Sequence, residues 1–120
     1  MSWGGRPNWA MLWLNQMTAH GLPPPVQEYR GIVGRQYRFD FAWPAQKIAA
    51  ECEGGLFMRH QHGGHATPLG ITRDIEKYNL ATLQGWRVIR ATSTQIRDGD
   101  AIKWLAAALG VTLARPVGTR

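Results

Sequence analysis

The stretch YRFDFAWPAQKIAAECEGG, Tyr37–Gly55, decides the fold. Between Gln36 and Trp43 large apolar and smaller or polar residues alternate. The spacing predicts a strand with Tyr37, Phe39, Phe41 and Trp43 on one face and Arg38, Asp40 and Ala42 on the other. Pro44 and Ala45 break the run. Lys47–Glu53 then reads as the next strand, led by the apolar Ile48, Ala49 and Ala50. So short a connection predicts an antiparallel pair. Alternation places Ala49, Glu51 and Glu53 on one face of their strand. In a suitable register Asp40 comes beside them, and three carboxylates converge over the small Ala42 and Ala49.

Like charges that close repel by about 1 kcal/mol or more per pair even in polar surroundings. Two readings follow from the spacing. Either the strand face is solvated and the two glutamates are unconnected, or a cation sits among the three acids. A hard divalent ion, Mg²⁺ or Mn²⁺, suits oxygen ligands and partial hydration. The backbone carbonyl of Cys52 is then a further candidate ligand beside Asp40, Glu51 and Glu53.

Outward from this pair, Pro7–Ala19 reads as a first helix with Met11, Leu14 and Met17 at helical spacing and Gly21 as its stop. Val26–Arg30 reads as a strand after the prolines Pro23–Pro25. Residues 54–71, rich in Gly and His, read as a loop. Thr72–Gly85 reads as a helix with Ile75, Tyr78, Asn79 and Thr82 on its inner face, and Trp86–Thr92 as a strand. A last helix spans Asp100–Leu109, capped by Asp98 or Asp100 and ended by Gly110. The order helix, three strands, helix, strand, helix predicts a single α/β domain with a mixed central sheet flanked by helices. Residues 1–21 form its helical lead-in, 22–110 the core and 111–120 a tail.

Three blocks stand in order along the chain: Arg38-Phe39-Asp40-Phe41-Ala42-Trp43-Pro44, then Glu51-Cys52-Glu53-Gly54-Gly55, then Asp74-Ile75-Glu76-Lys77-Tyr78-Asn79 followed by Gly85-Trp86-Arg87-Val88-Ile89-Arg90. They resemble the PD-(D/E)XK nuclease superfamily, in particular small phage and bacterial members related to very-short-patch-repair endonucleases and Holliday-junction resolvases. The resemblance covers roughly Leu22 to Thr92 and implies an αβββαβ restriction-endonuclease-like core. It also implies hydrolysis of DNA phosphodiester bonds with one or two Mg²⁺ or Mn²⁺ ions, with branched or mismatched DNA among the expected substrates. In that family a lysine follows the second acid by two residues and orients the attacking water. Here Glu53 stands in its place. Glu53 then serves as base and ligand, or a lysine reaches in from elsewhere. Lys77 is the candidate; Lys47, at the far end of its strand, is a weaker one. Without a replacement, the same fold reads as a nucleic-acid-binding module that cuts weakly or not at all. A small interaction protein with a structural acidic cluster is the third reading.

Composition agrees with a polyanionic partner as well as with a merely basic surface. The formal charge is +6 and the pI about 10.3, and arginines outnumber lysines 11 to 3. Arg73, Arg87 and Arg90 are candidate phosphate contacts, which would make DNA affinity salt-sensitive. Arg59 and His65 in the Gly- and His-rich loop join them; the resemblance favours His65. His60, His62 and His65 with Cys52 lack the usual spacing of a zinc site. Glu28, Asp74 and Asn79 are accessory candidates. Trp3, Trp9 and Trp13 read either as a stacking wedge for DNA or as core or homodimer contacts. A single Cys allows no internal disulfide, and no apolar run is long enough for a membrane span, so the expected setting is the cytoplasm of a bacterium or phage-infected host.

Overall fold

Asn8 opens the first helix: its side chain accepts the Met11 N–H at 3.1 Å, and α1 runs Trp9–Ala19. The computed structural model describes residues 8–54 and 67–113. Gly21, at φ +72°, turns the chain out of the helix, and the Leu22 N–H returns to the Met17 carbonyl at 3.0 Å.

Three strands follow, β1 (Val26–Tyr29), β2 (Phe39–Trp43) and β3 (Ile48–Gly54), paired antiparallel as a meander. Helix α2 (Pro68–Leu83) leads to β4 (Arg87–Thr92), which lies parallel to β3. The sheet order is β1-β2-β3-β4. This is the mixed α/β single domain expected from the sequence. Two short helices close it, α3 (Ser93–Arg97) and α4 (Asp100–Leu109).

Several boundaries differ from expectation, each for a local reason. Helix α2 begins at Pro68 and not at Thr72. Thr67 caps it by accepting the Gly70 N–H at 3.0 Å, and Pro68 sits where no N–H is needed. Gln36–Arg38 do not join β2; the Tyr37 hydroxyl donates instead to Glu76 of α2 at 2.7 Å. Helix α3 is an element that the sequence pattern does not predict. A reciprocal cap makes it: the Gln95 N–H donates to Thr92 Oγ1 at 3.2 Å, and Gln95 Oε1 accepts the Thr92 N–H at 3.0 Å. Neither Asp98 nor Asp100 caps α4. Gly99, at φ +90°, takes the cap position, Asp98 ends α3, and Asp100 lies in the first turn, where a negative charge suits the helix dipole.

Helices cover both faces of the sheet. On one, Phe41, Trp43, Ile48, Ala50 and Ala91 pack against Trp13 and Met17 of α1, Ile96 of α3 and Ile102 and Leu105 of α4. On the other, Ala42 and Ala49 meet Ala81 of α2, beside Ile32, Phe39 and Trp86. All three alanines are fully buried. Small side chains at this contact let α2 lie close to the sheet, which brings its polar residues within reach of β3.

Two facial assignments are corrected. Phe39 does not share a face with Phe41 and Trp43. It packs with Trp86, ring centroids 5.0 Å apart, on the α2 side. The inner face of α2 is built from Lys77, Tyr78 and Ala81, while Ile75 is 57% exposed and Asn79 and Thr82 face solvent. Trp13 is wholly buried and meets Phe41 edge-on, so it is a core residue and presents no stacking surface.

Candidate functional site

β2 and β3 pair regularly through Trp43–Ile48, Ala42–Ala49 and Phe41–Ala50. One step further, Asp40 and Glu51 leave the ladder and side chains replace it. The Asp40 N–H donates to Glu51 Oε2 at 2.8 Å, and the Cys52 N–H donates to Asp40 Oδ2 at 2.7 Å. Each acid thus satisfies a backbone donor of the other strand. The exchange holds the two carboxylates across a local opening of the sheet, and it is where the strict alternation of β2 fails and Phe39 changes face.

α2 supplies the positive partner. Lys77 Nζ lies 2.6 Å from Glu51 Oε1 and donates also to the Arg38 carbonyl at 2.6 Å. Both side chains of the ion pair are almost covered, 12% and 10% exposed. Tyr78, the next residue, lies with its hydroxyl 2.9 Å from Glu51 Oε1 and 3.1 Å from Glu53 Oε2. Its one proton serves one carboxylate at a time. Burial, and then the fields of Glu51 and Glu53, push the Tyr78 phenol far above its ordinary range, so it stays a protonated donor. Glu53 is drawn outward to Arg90, whose Nε donates to Oε2 at 2.8 Å while its guanidinium lies 4.0 Å over the Tyr78 ring.

Asp40 is left without an ion pair among the described residues. Burial, and then the neighbouring Glu51 charge, raise its pKa to about 6, against the pull of the Cys52 N–H. Glu28 adds to this field. It stands on β1 opposite Asp40, at φ +52°, and approaches Arg38 at 3.7 Å. A left-handed φ is uncommon for a glutamate and costs roughly 1 kcal/mol or more. Among the described residues no three His, Cys, Asp or Glu close on a common point. Asp40 and Glu51 form the tight pair, and Glu53 belongs to the Tyr78–Arg90 side. A half-buried carboxylate beside a second acid, offset only weakly by Lys77, fits a hard divalent ion. The oxygen-rich donor set fits it too.

The remaining candidates lie around this pair. Arg73 and Asp74 line a cavity of about 670 Å³ together with Arg35, Tyr37, Glu76 and Lys77. Arg87 and Asn79 are exposed, on β4 and α2. Lys47, at φ +57°, donates to the Gln84 carbonyl at 2.9 Å and lies over Trp86, away from Glu51. Arg59, His60, His62, His65 and Trp3 fall outside the described residues. Tyr78 and the Arg35–Glu76–Tyr37 cluster border the site and are not among the candidates that the sequence offers. Arg35 Nε donates to Glu76 Oε1 at 3.0 Å, beside the Tyr37 bond. The available signal was the run Glu76-Lys77-Tyr78, three polar residues in the middle of a helix.

Two uncharacterized proteins of Mycobacterium tuberculosis, MT2308 and Rv2248, are each 32% identical to this chain over 83 residues. The match takes in 68% of this chain and 28% of each relative, so the chain spans less than a third of their length. No family model and no solved structure matches. Among the described residues no helix is long and apolar enough to cross a membrane.

Proposed function

We propose that this chain is a metal-dependent endonuclease with a restriction-endonuclease-like core, hydrolysing phosphodiester bonds of DNA. One observation carries the reading: Lys77 Nζ meets Glu51 Oε1 at 2.6 Å, beside Asp40 and across the opened ends of β2 and β3. A lysine thereby returns to the acids although the β3 position that the resemblance reserves for it holds Glu53.

Asp40 and Glu51 would hold Mg²⁺ or Mn²⁺, with the Cys52 carbonyl and Glu53 as neighbouring oxygen donors. Such an ion supplies Lewis acidity and lowers the pKa of a bound water. The chain's own groups do the rest. Lys77 fixes the orientation of Glu51 and brings a positive charge to the site where a phosphoryl group would gain negative charge. Tyr78 donates to Glu51 or to Glu53, one at a time, from between them. Glu53 is the candidate general base, and its bond to Arg90 sets where its carboxylate points. Arg73 of α2 and the partly open Arg90 offer phosphate contacts on the α2 side of the sheet, while Arg87 shares the face of Ile89 and Ala91 and would meet phosphate only from the other side. Branched or mismatched DNA is the proposed substrate class, and a homodimer the form a two-strand cutter would take.

Supercoiled plasmid incubated with the purified chain and Mg²⁺ or Mn²⁺ should be nicked or linearised, and EDTA should stop it. Glu51→Ala cutting as well as wild type would remove the carboxylate assignment. DNA binding that falls steeply with salt, with no cutting of linear, branched or single-stranded DNA, would instead favour the binding-module reading. That reading draws support from Glu53 standing where a lysine is usual.

A further inference from the structure

The cavity beside Lys77 is separate from the acidic pair, yet Lys77 both lines it and touches Glu51. Its volume, about 670 Å³, lies in the range of small-ligand sites and exceeds what a phosphate alone would need. Its wall is chemically mixed. Tyr37 contributes a half-buried ring whose hydroxyl is committed to Glu76 at 2.7 Å, which fixes the ring in place. Arg35 grips the same carboxylate from its Nε at 3.0 Å, so that pair is internally neutral but still offers donor and acceptor edges. The Arg73 side chain makes no hydrogen bond or ion pair among the described residues. It lies one turn before Lys77 on α2, and its charge is available to a ligand.

We propose that this cavity is a subsite for one unpaired nucleotide of the strand being cut, an inference that rests on the nuclease reading above. A paired duplex presents a convex cylinder and cannot enter a concave site of this size; a nucleotide out of the stack can. Base stacking on an aromatic ring and a charge-assisted arginine–phosphate contact are the two interactions such a nucleotide needs, and Tyr37 and Arg73 supply them. Lys77 touches Glu51 on one side and lines the cavity on the other, so the subsite adjoins the acids. DNA with a flap, a mismatch or a junction presents such a nucleotide without the cost of unpairing it.

The test compares a perfect duplex with the same duplex carrying a single-stranded flap, using the full chain. Affinity is read by fluorescence anisotropy in EDTA and cutting is read in Mn²⁺. The flap DNA binds at least about 10-fold more tightly than the duplex, and Arg73→Ala and Tyr37→Ala each bring that ratio close to one. Arg73 is exposed, so Arg73→Ala leaves the thermal unfolding transition in place and its result does not depend on refolding. Tyr37→Phe keeps the ring and retains most of the preference. Equal wild-type affinity for both DNAs overturns the proposal. So does an Arg73→Ala variant that weakens both DNAs by the same factor, because Arg73 is then a plain surface charge. Equal cutting of both DNAs would leave the nuclease reading and remove the subsite. Flap binding that depends on Arg73, without any cutting, would leave the subsite and remove the nuclease reading.

Discussion

Lys77 Nζ and Glu51 Oε1 stand 2.6 Å apart although one belongs to a helix and the other to the strand beneath it, 26 residues away in sequence. Both side chains are nearly covered, so the pair gives little to solvent and each charge depends on the other. Removing one partner of a buried pair costs about 3–5 kcal/mol, because the other is left buried and uncompensated. Lys77→Met should fall near the lower end, about 3 kcal/mol, since Tyr78 still bonds Glu51. The double variant Lys77→Met with Glu51→Gln should recover at least half of that loss. Urea unfolding of the four proteins of the cycle checks it, and strict additivity would show that the two groups are not coupled.

Asp40 makes stability depend on pH in an unusual direction for an acid. Its folded pKa, about 6, lies above the ordinary value of 3.8. Below pH 4 the group is protonated in both states and costs nothing. Between pH 4 and 6 the folded state holds the proton more tightly, so stability from this group falls as pH rises, and above pH 6 the loss is complete. A shift of that size is worth up to about 3 kcal/mol, less where solvent screens it. Asp40→Asn should therefore be more stable than wild type at pH 8, by roughly 1–3 kcal/mol, and no more stable at pH 4. Mn²⁺ should reverse the order at pH 8 by stabilising the wild type alone, and calorimetric titration should show that affinity weakening below pH 6.

Tyr78→Phe removes one hydroxyl and leaves the ring under Arg90. The buried bond to a carboxylate that is lost is worth roughly 1.5–3 kcal/mol. Glu53 keeps Arg90 and Glu51 keeps Lys77, so the loss should stay near 2 kcal/mol, read by urea unfolding. The phenol is held far above its ordinary pKa, so it does not serve as a nucleophile. Any residual cutting by Tyr78→Phe should keep the wild-type dependence on Mn²⁺. Cutting by Tyr78→Phe that persists in EDTA would contradict this role.

The β2–β3 pair was legible because alternation is a strong local signal, and Ala49, Glu51 and Glu53 do share the face that it assigns. The glycine stops after α1 and α4 were legible for the same kind of reason, since a left-handed turn asks for glycine. Phe39 was not legible, because its face is set by two bonds between side chain and backbone across β2 and β3, which no periodicity encodes. On the inner face of α2 the spacing holds for Tyr78 and fails for Ile75, Asn79 and Thr82. Lys77 takes the place beside Tyr78 because the sheet beneath presents carboxylates there, and buried charge needs partners more than an exposed isoleucine needs cover. Helix α3 has a capping-box sequence, but five residues beside a strand carry too little periodicity to stand out.

Ala49 and Ala50 are adjacent, both fully buried, and face opposite sides of the same strand, which gives a controlled test of how the fold positions the site. Ala49 lies under α2 with Ala42 and Ala81. A leucine there has no room and should push the helix outward, costing about 1–3 kcal/mol for overpacking. The displacement should also draw Lys77 and Tyr78 away from Glu51, so nicking of plasmid should fall by about 100-fold, the scale of a lost charge-stabilising group. Ala50→Leu overpacks the opposite cluster, against α1 and α4, at a similar cost in stability. It leaves α2 where it is and should keep nicking within a few-fold of wild type. Equal losses of nicking in the two variants at matched stability would mean that the close approach of α2 does not set the geometry of the acids.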